Sequence, residues 1–244
     1  MTSRPSSRHL RAAVLAAGDG GRLRPLTEGR PKALVPVAGR ALIEYVLRSL
    51  REAGVVEALV VVGYEGAQLR EHVGDGARFR LRVTYAENAA YTLGNARSIW
   101  TAARTMEPPF LVAMADHLME PGMVARFAHS LDGLPALGVD GSDLGDGDDA
   151  ATRVLVEDGR VRAVGKRIEP WNAIDVGLSY VTSDLSPFLE GELRNGEAAA
   201  VFAAAARRGL VRAVDLGTPR WLDVDTPADL ERAEALARDG VFVP

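Results

Sequence analysis

Apolar strand-like runs alternate with helical patterns through the first half of this 244-residue chain. That alternation predicts an α/β fold, a mostly parallel mixed sheet flanked by helices on both faces. The first apolar run breaks abruptly into a glycine-rich loop, as expected where a parallel strand ends at the ligand-binding edge of such a sheet. Composition agrees: hydrophobic residues make up 47% and charged residues 25%, ordinary values for a globular chain long enough to bury a core.

The elements follow in order. Residues 1–10 open polar and rich in Arg and Ser, and read as a disordered tail; residues 11–244 read as a single domain, without internal repeat or linker. Residues 12–16 form a strand, 43–53 a helix, 58–62 a strand, 66–73 a helix, 81–85 a strand, 96–105 a helix and 110–114 a strand. Residues 140–149, rich in Gly and Asp, read as a solvated surface loop, because their carboxylates lack the spacing of a calcium loop. Residues 152–157 and 161–164, separated by Asp158-Gly159, form a two-residue hairpin. A strand over 173–181, a helix over 198–207 and a strand over 211–215 follow. Thr226 caps the last helix, with Pro227 in its first turn and Asp229 three residues after the cap.

A net charge of −4 argues against nucleic acid as a partner. The chain has no cysteine, hence no disulfide framework and no thiolate metal site. No apolar stretch approaches the ~20 residues of a membrane span. The expectation is a soluble, cytoplasmic protein, with which a homodimer is compatible.

The chemistry concentrates in Leu15-Ala16-Ala17-Gly18-Asp19-Gly20-Gly21-Arg22-Leu23-Arg24-Pro25-Leu26-Thr27, followed by Pro31-Lys32. Glycines let the backbone approach a ligand, and successive N–H groups cradle phosphate oxygens. Arg22 and Lys32 add the cations that a polyphosphate needs while its charge redistributes. Asp116 follows a buried-type strand at the same edge, where a carboxylate can bind Mg²⁺ together with substrate phosphates. Asp223 and Asp225, two apart in a strand-like run, share a face, and Asp223 reads as support for the helix cap. Asn95 reads as an N-cap. Four scattered histidines, His117 among them, show no metal spacing.

The 15–27 run, Pro31-Lys32 and Pro36-Val37-Ala38-Gly39-Arg40-Ala41-Leu42-Ile43 together resemble the signature of the sugar-1-phosphate nucleotidyltransferases, with Gly21 where that family usually has Ser or Thr. The resemblance implies a Rossmann-like nucleotidyltransferase fold. It also implies a nucleotide site from Leu15, Ala17, Gly18, Asp19, Gly20, Gly21 and the loop of Asn88, Gly94 and Asn95, with Asn88 and Gly94 at the base edge. Asp116 takes the position of a metal-binding Asp. The second metal carboxylate falls in Trp221–Thr226, at Asp225 in the D-T-P context of cytidylyltransferases, with Asp223 as the alternative. Lys166, after Gly165, matches the lysine that holds the acceptor phosphate. Asp175 and Gly177 resemble the acceptor strand. Gly165 replaces the Glu usual in hexose-phosphate enzymes. The combination of Met114–His117, Gly165-Lys166, 175–177 and 221–226 is similar to the CTP:inositol-1-phosphate cytidylyltransferases over most of residues 11–237. Those are often fused to a membrane-embedded domain, whereas this chain reads as a stand-alone enzyme.

The implied reaction is in-line attack of an acceptor phosphate, that of inositol 1-phosphate, on the α-phosphorus of CTP, with Mg²⁺ as cofactor and pyrophosphate leaving. The nucleophile is already anionic, so catalysis comes from positioning and charge neutralisation. Arg22 would hold the leaving phosphates, Lys32 the α-phosphate and Lys166 the attacking phosphate. Sugar 1-phosphates, phosphocholine and aminophosphonates are alternative acceptors. Two other classes compete: a metal-dependent glycosyltransferase, whose Asp-x-Asp motif Asp223-Val224-Asp225 imitates, and a catalytically silent nucleotide-binding homologue.

Overall fold

A computed structural model describes residues 10–142, 151–192 and 196–242. In chain order the strands are β1 (Leu10–Ala16), β2 (Pro36–Val37), β3 (Arg40–Ala41), β4 (Val55–Val62), β5 (Arg82–Glu87), β6 (Phe110–Met114), β7 (His117–Met119), β8 (Ala136–Asp140), β9 (Arg153–Glu157), β10 (Arg160–Gly165), β11 (Ala173–Val181), β12 (Arg212–Asp215) and β13 (Trp221–Asp223). The helices are α1 (Leu42–Glu52), α2 (Gly66–Val73), α3 (Ala96–Met106), α4 (Met123–His129), α5 (Ser186–Glu192), α6 (Ala198–Ala206) and α7 (Pro227–Arg238).

Nine strands make one sheet in the order β5-β4-β1-β6-β11-β8-β12-β10-β9. The first four run parallel, as helical crossovers between successive strands require. From β11 onward antiparallel pairing dominates, with β8–β12 the parallel exception. The sheet is therefore mixed: the parallel expectation describes its first half, while the hairpin at Asp158-Gly159 joins β9 and β10 antiparallel in the second. β11 also pairs with β9, which closes β8 to β12 into a small barrel.

Side-chain alternation along the central strands explains the layers. Ala12, Val14 and Ala16 of β1, with Ala58, Val60 and Val62 of β4, pack beneath α1, α2 and α4. Ala13 and Leu15, with Leu59 and Val61, face α3, α5 and α6 on the other side. A period of two on buried strands thus feeds two cores at once. A third cluster, with Leu23, Tyr45, Leu118 and Leu222, seats α7 against the loop after β1.

Two expectations change. Leu10 already belongs to β1, while residues 1–9 lie outside the described residues. Asp140 is buried at the end of β8 rather than solvated in a loop; of the predicted loop, residues 143–149 lie outside the described residues.

Candidate active site

β1 and β6 pair in parallel, so the glycine-rich loop and Asp116 emerge side by side at one edge. Two cavities meet there. The smaller, about 180 Å³, is lined by Leu15, Ala17, Gly18, Lys32, Gly94 and Asn95 among others. The larger, about 870 Å³, is lined by Arg22, Lys166, Asp175, Gly177, Trp221 and Asp223 among others. Leu15, Asn95, Met114 and Asp116 border both. Of the predicted nucleotide residues, Leu15, Ala17, Gly18, Gly94 and Asn95 line the smaller cavity, whereas the predicted acceptor residues Lys166, Asp175 and Gly177 line only the larger. Asp19, Gly20 and Gly21 lie in the loop without lining the smaller cavity. No hydrogen bond among the described residues occupies the N–H groups of Gly18, Asp19, Gly20 or Arg22, which leaves those donors for a ligand. Arg24 pairs with Asp19 at 3.3 Å.

A charge cluster sits where the cavities join. β7 and β13 pair antiparallel with Asp223 opposite His117, and the Val224 N–H bonds the Asp116 carbonyl at 3.1 Å. This pairing brings together acidic residues more than a hundred positions apart. The Lys32 Nζ lies 2.5 Å from Asp116 Oδ2 and 3.7 Å from Asp223 Oδ1, and also bonds Asp225. Asp225 in turn bonds Arg22. Burial works against the charge of Lys32, but Asp116, Asp223 and Asp225 outweigh it and hold the ammonium above the ordinary lysine range. Burial likewise opposes ionisation of Asp116, yet Lys32 and His117 hold it well below the carboxylate range. Asp225 is lowered for a related reason, Lys32 outweighing burial. For Asp223, burial wins, with Asp116 adding repulsion: its pKa rises from 3.8 to about 7.

Three corrections follow. Asp223 does not support the helix cap. Thr226 and Asp229 form that cap between themselves, and Asp223 faces the cluster with a buried Oδ1 that has no hydrogen-bond partner. His117, read from the sequence only as one of four scattered histidines, belongs to this cluster. Its Nδ1 lies 3.0 Å from Asp116 and 3.7 Å from Asp223, and Trp221 stacks on its ring at 5.8 Å. Although burial opposes its charge, Asp223 and Asp116 raise its pKa from 6.5 to about 9. The signal available in the sequence was its adjacency to Asp116. Gly177 makes room for this ring, since a Cβ there would stand 2.4 Å from His117 Cδ2. The third correction is Asn88, whose side chain is buried and internally paired: Oδ1 accepts the Ala90 N–H at 3.1 Å and Nδ2 donates to Ser98 Oγ at 3.0 Å. It does not line either cavity.

Asn95 occupies the predicted cap position of α3, but its side chain makes no capping bond there. It accepts the Ala198 N–H at 2.7 Å, at the first turn of α6. The neighbouring Gly94 meets the backbone of Gly196 so closely that a Cβ would fall 2.0 Å from its carbonyl oxygen. In the larger cavity Asp175 accepts the Gly177 N–H at 2.9 Å, and burial raises its pKa from 3.8 to about 6. Lys166 is exposed, at the end of β10, and has no ion-pair partner among the described residues.

The donor set fits a divalent ion. Single ligand atoms of Asp116, His117 and Asp223 lie within 4.8 Å of one another; with His117 charged, the two carboxylates are the available donors, and the Asp223 Oδ1 that has no hydrogen-bond partner is the atom such an ion would satisfy. Asp225, bonded by both Lys32 and Arg22, falls outside that group, so it is the alternative carboxylate, Asp223, that stands with Asp116.

The comparisons with known proteins give the family and the fold. A family profile described as Nucleotidyl transferase covers residues 11–133, and the chain belongs to that family. It is 38% identical over 239 residues to the bifunctional IPC transferase and DIPP synthase of Rubrobacter xylanophilus, covering 92% of this chain and 51% of that protein. The chain thus spans about half the length of that relative. It is 31% identical to the N-acetylmuramate alpha-1-phosphate uridylyltransferase of Neisseria meningitidis, covering 93% of this chain and 98% of that one. Among solved structures, the inositol-1-phosphate CTP transferase from T. maritima superposes with a TM-score of 0.80 at 29% identity, over 96% of this chain and 98% of that one. No helix among the described residues is long and apolar enough to cross a membrane.

Proposed function

We propose that this chain is a cytidylyltransferase that joins CTP to inositol 1-phosphate and releases pyrophosphate. The observation that carries the reading is the cluster of Lys32 with Asp116, Asp223 and Asp225, beside Arg22, at the junction of two cavities. The name of the T. maritima relative supplies the base and acceptor. A cytoplasmic location and a single domain over residues 11–244 belong to the same proposal.

The smaller cavity takes the nucleoside, and the free N–H groups after β1 take the triphosphate. Arg22 leaves Asp225 to neutralise the departing β,γ-phosphates, and Lys32 turns from its carboxylates to the α-phosphate. Lys166 holds the acceptor phosphate from the larger cavity. One of its oxygens attacks the α-phosphorus; the new P–O bond forms as the α–β bridging bond breaks, and the electron pair leaves with pyrophosphate. No proton is removed from the nucleophile, so no general base is required. Asp116 and Asp223 would hold a Mg²⁺ ion, which supplies charge neutralisation between the two phosphates. His117 orients Asp116 through its 3.0 Å contact, as an outer-shell partner does.

The test is pyrophosphate release in Mg²⁺, with each nucleoside triphosphate set against inositol 1-phosphate, glucose 1-phosphate and phosphocholine. Release with CTP and inositol 1-phosphate supports the reading. Release with a different pair keeps the chemistry and replaces the substrates. Nucleotide binding without release supports the silent homologue.

A further inference from the structure

The mechanism above leaves one buried polar group of the nucleotide cavity unused. Ser98, on the first turn of α3, is 3% exposed and lines the smaller cavity. Its Oγ accepts a hydrogen bond from Asn88 Nδ2 at 3.0 Å. The direction of that bond is fixed from behind. The Ala90 N–H, which can only donate, bonds Asn88 Oδ1 at 3.1 Å, so the amide must present its NH₂ group to Ser98. One lone pair of the serine oxygen is therefore committed. Its own proton finds no acceptor among the described residues, although a buried hydroxyl without one is costly.

We propose that Ser98, set by Asn88, is the residue that selects cytosine over uracil, by donating its hydroxyl proton to the ring nitrogen N3 of the base. This rests on the reading of the smaller cavity as the nucleoside site. The two pyrimidines share the O2 acceptor and differ at N3, which is a bare acceptor in cytosine and an N–H donor in uracil. Against cytosine every polar atom of the Asn88–Ser98 pair is satisfied. Against uracil the remaining serine lone pair can accept N3–H, but the hydroxyl proton is then left buried and unpaired. Sites built this way discriminate through the unpaired group more than through the bond gained. Ser98 is thus a specificity residue and Asn88 a positioning residue, which acts on the base through Ser98 rather than by touching it.

Binding of CTP and of UTP to the full chain in Mg²⁺, measured by titration calorimetry, tests this without any acceptor. The wild type is expected to prefer CTP by about 10- to 100-fold. Ser98→Ala should reduce that ratio toward one, chiefly by weakening CTP. Asn88→Ala should also bring it toward one, because water in the vacated space can either donate to or accept from the serine hydroxyl. A merely structural role for Asn88 would weaken both nucleotides equally and leave the ratio unchanged. Should Ser98→Ala prove unfolded in a thermal melt, the Asn88→Ala ratio decides alone. Equal wild-type affinities, a UTP preference, or a ratio that survives in the folded variants overturns the assignment of Ser98. Binding of neither triphosphate overturns the proposed function as well.

Discussion

Replacing Lys32 by Met removes one charge while keeping the stem packed, and the structure gives that change two consequences. The ammonium touches Asp116 and Asp225 and lies 3.7 Å from Asp223, with only 9% of its side chain exposed. Removing one partner from a buried ion pair costs about 3–5 kcal/mol. The lower end applies here, because the Asp223 side chain is 38% exposed and Arg22 still reaches Asp225. A loss of about 3 kcal/mol in a chain of this size lowers the melting temperature by roughly 6–12 °C. Divalent metal should restore much of that loss, because it can sit among the same carboxylates; a loss due to packing alone would not respond. Turnover should fall roughly 100- to 1000-fold, the effect of deleting one preorganised group that meets developing charge. Thermal melts with and without Mg²⁺ and pyrophosphate release at saturating substrate read the two effects. Near wild-type turnover in a folded variant would refute the role given to Lys32.

Four further outcomes follow from other residues. Asp223→Ala should raise the Mg²⁺ concentration needed for half-maximal activity more than Asp225→Ala does, which a metal titration of both variants reads; the reverse order would return the metal to Asp225. Lys166→Ala should raise the KM for the acceptor and leave the KM for nucleotide unchanged, a split that steady-state kinetics resolves. Gly177→Ala should displace the His117 ring and break its stack on Trp221, seen as a change in tryptophan fluorescence with a lower melting temperature. Asp175 titrates at about 6 instead of 3.8, so its folded state prefers the proton. It imposes no penalty well below pH 3.8, where both states are protonated; the penalty grows as pH rises from 3.8 and levels off above about 6, at no more than about 3 kcal/mol. Asp175→Asn, which can still accept the Gly177 N–H, should therefore stabilise the chain at neutral pH and lose that advantage progressively below about pH 6, with none left by about pH 3, in melts across pH.

The alternation of apolar runs made the parallel half of the sheet legible, because strands buried on both faces read as continuous hydrophobic segments. β8 escaped notice: Ala136–Asp140 is short, interrupted by Gly138, and ends in a residue normally solvated. The placement of the glycine-rich loop, Lys32 and Asp116 at one edge of the sheet was readable because their spacing is local to one strand–loop junction or to its neighbour. His117 and Asp223 were misjudged for the opposite reason: their roles arise from the β7–β13 pairing, which no local pattern announces. Asn88 was placed at the base by resemblance. The N–H of Ala90 and the hydroxyl of Ser98 give each end of its buried amide a partner within the fold.

Label transfer tests the account most directly. With Mg²⁺ and inositol 1-phosphate, CTP labelled at the α-phosphate should pass its label to a single adduct that retains both the base and the inositol. CTP labelled at the γ-phosphate should place all its label in pyrophosphate. Release of γ-label as inorganic phosphate, or an adduct without the α-phosphate, would contradict attack at the α-phosphorus and with it the roles assigned to Arg22, Lys32 and Lys166.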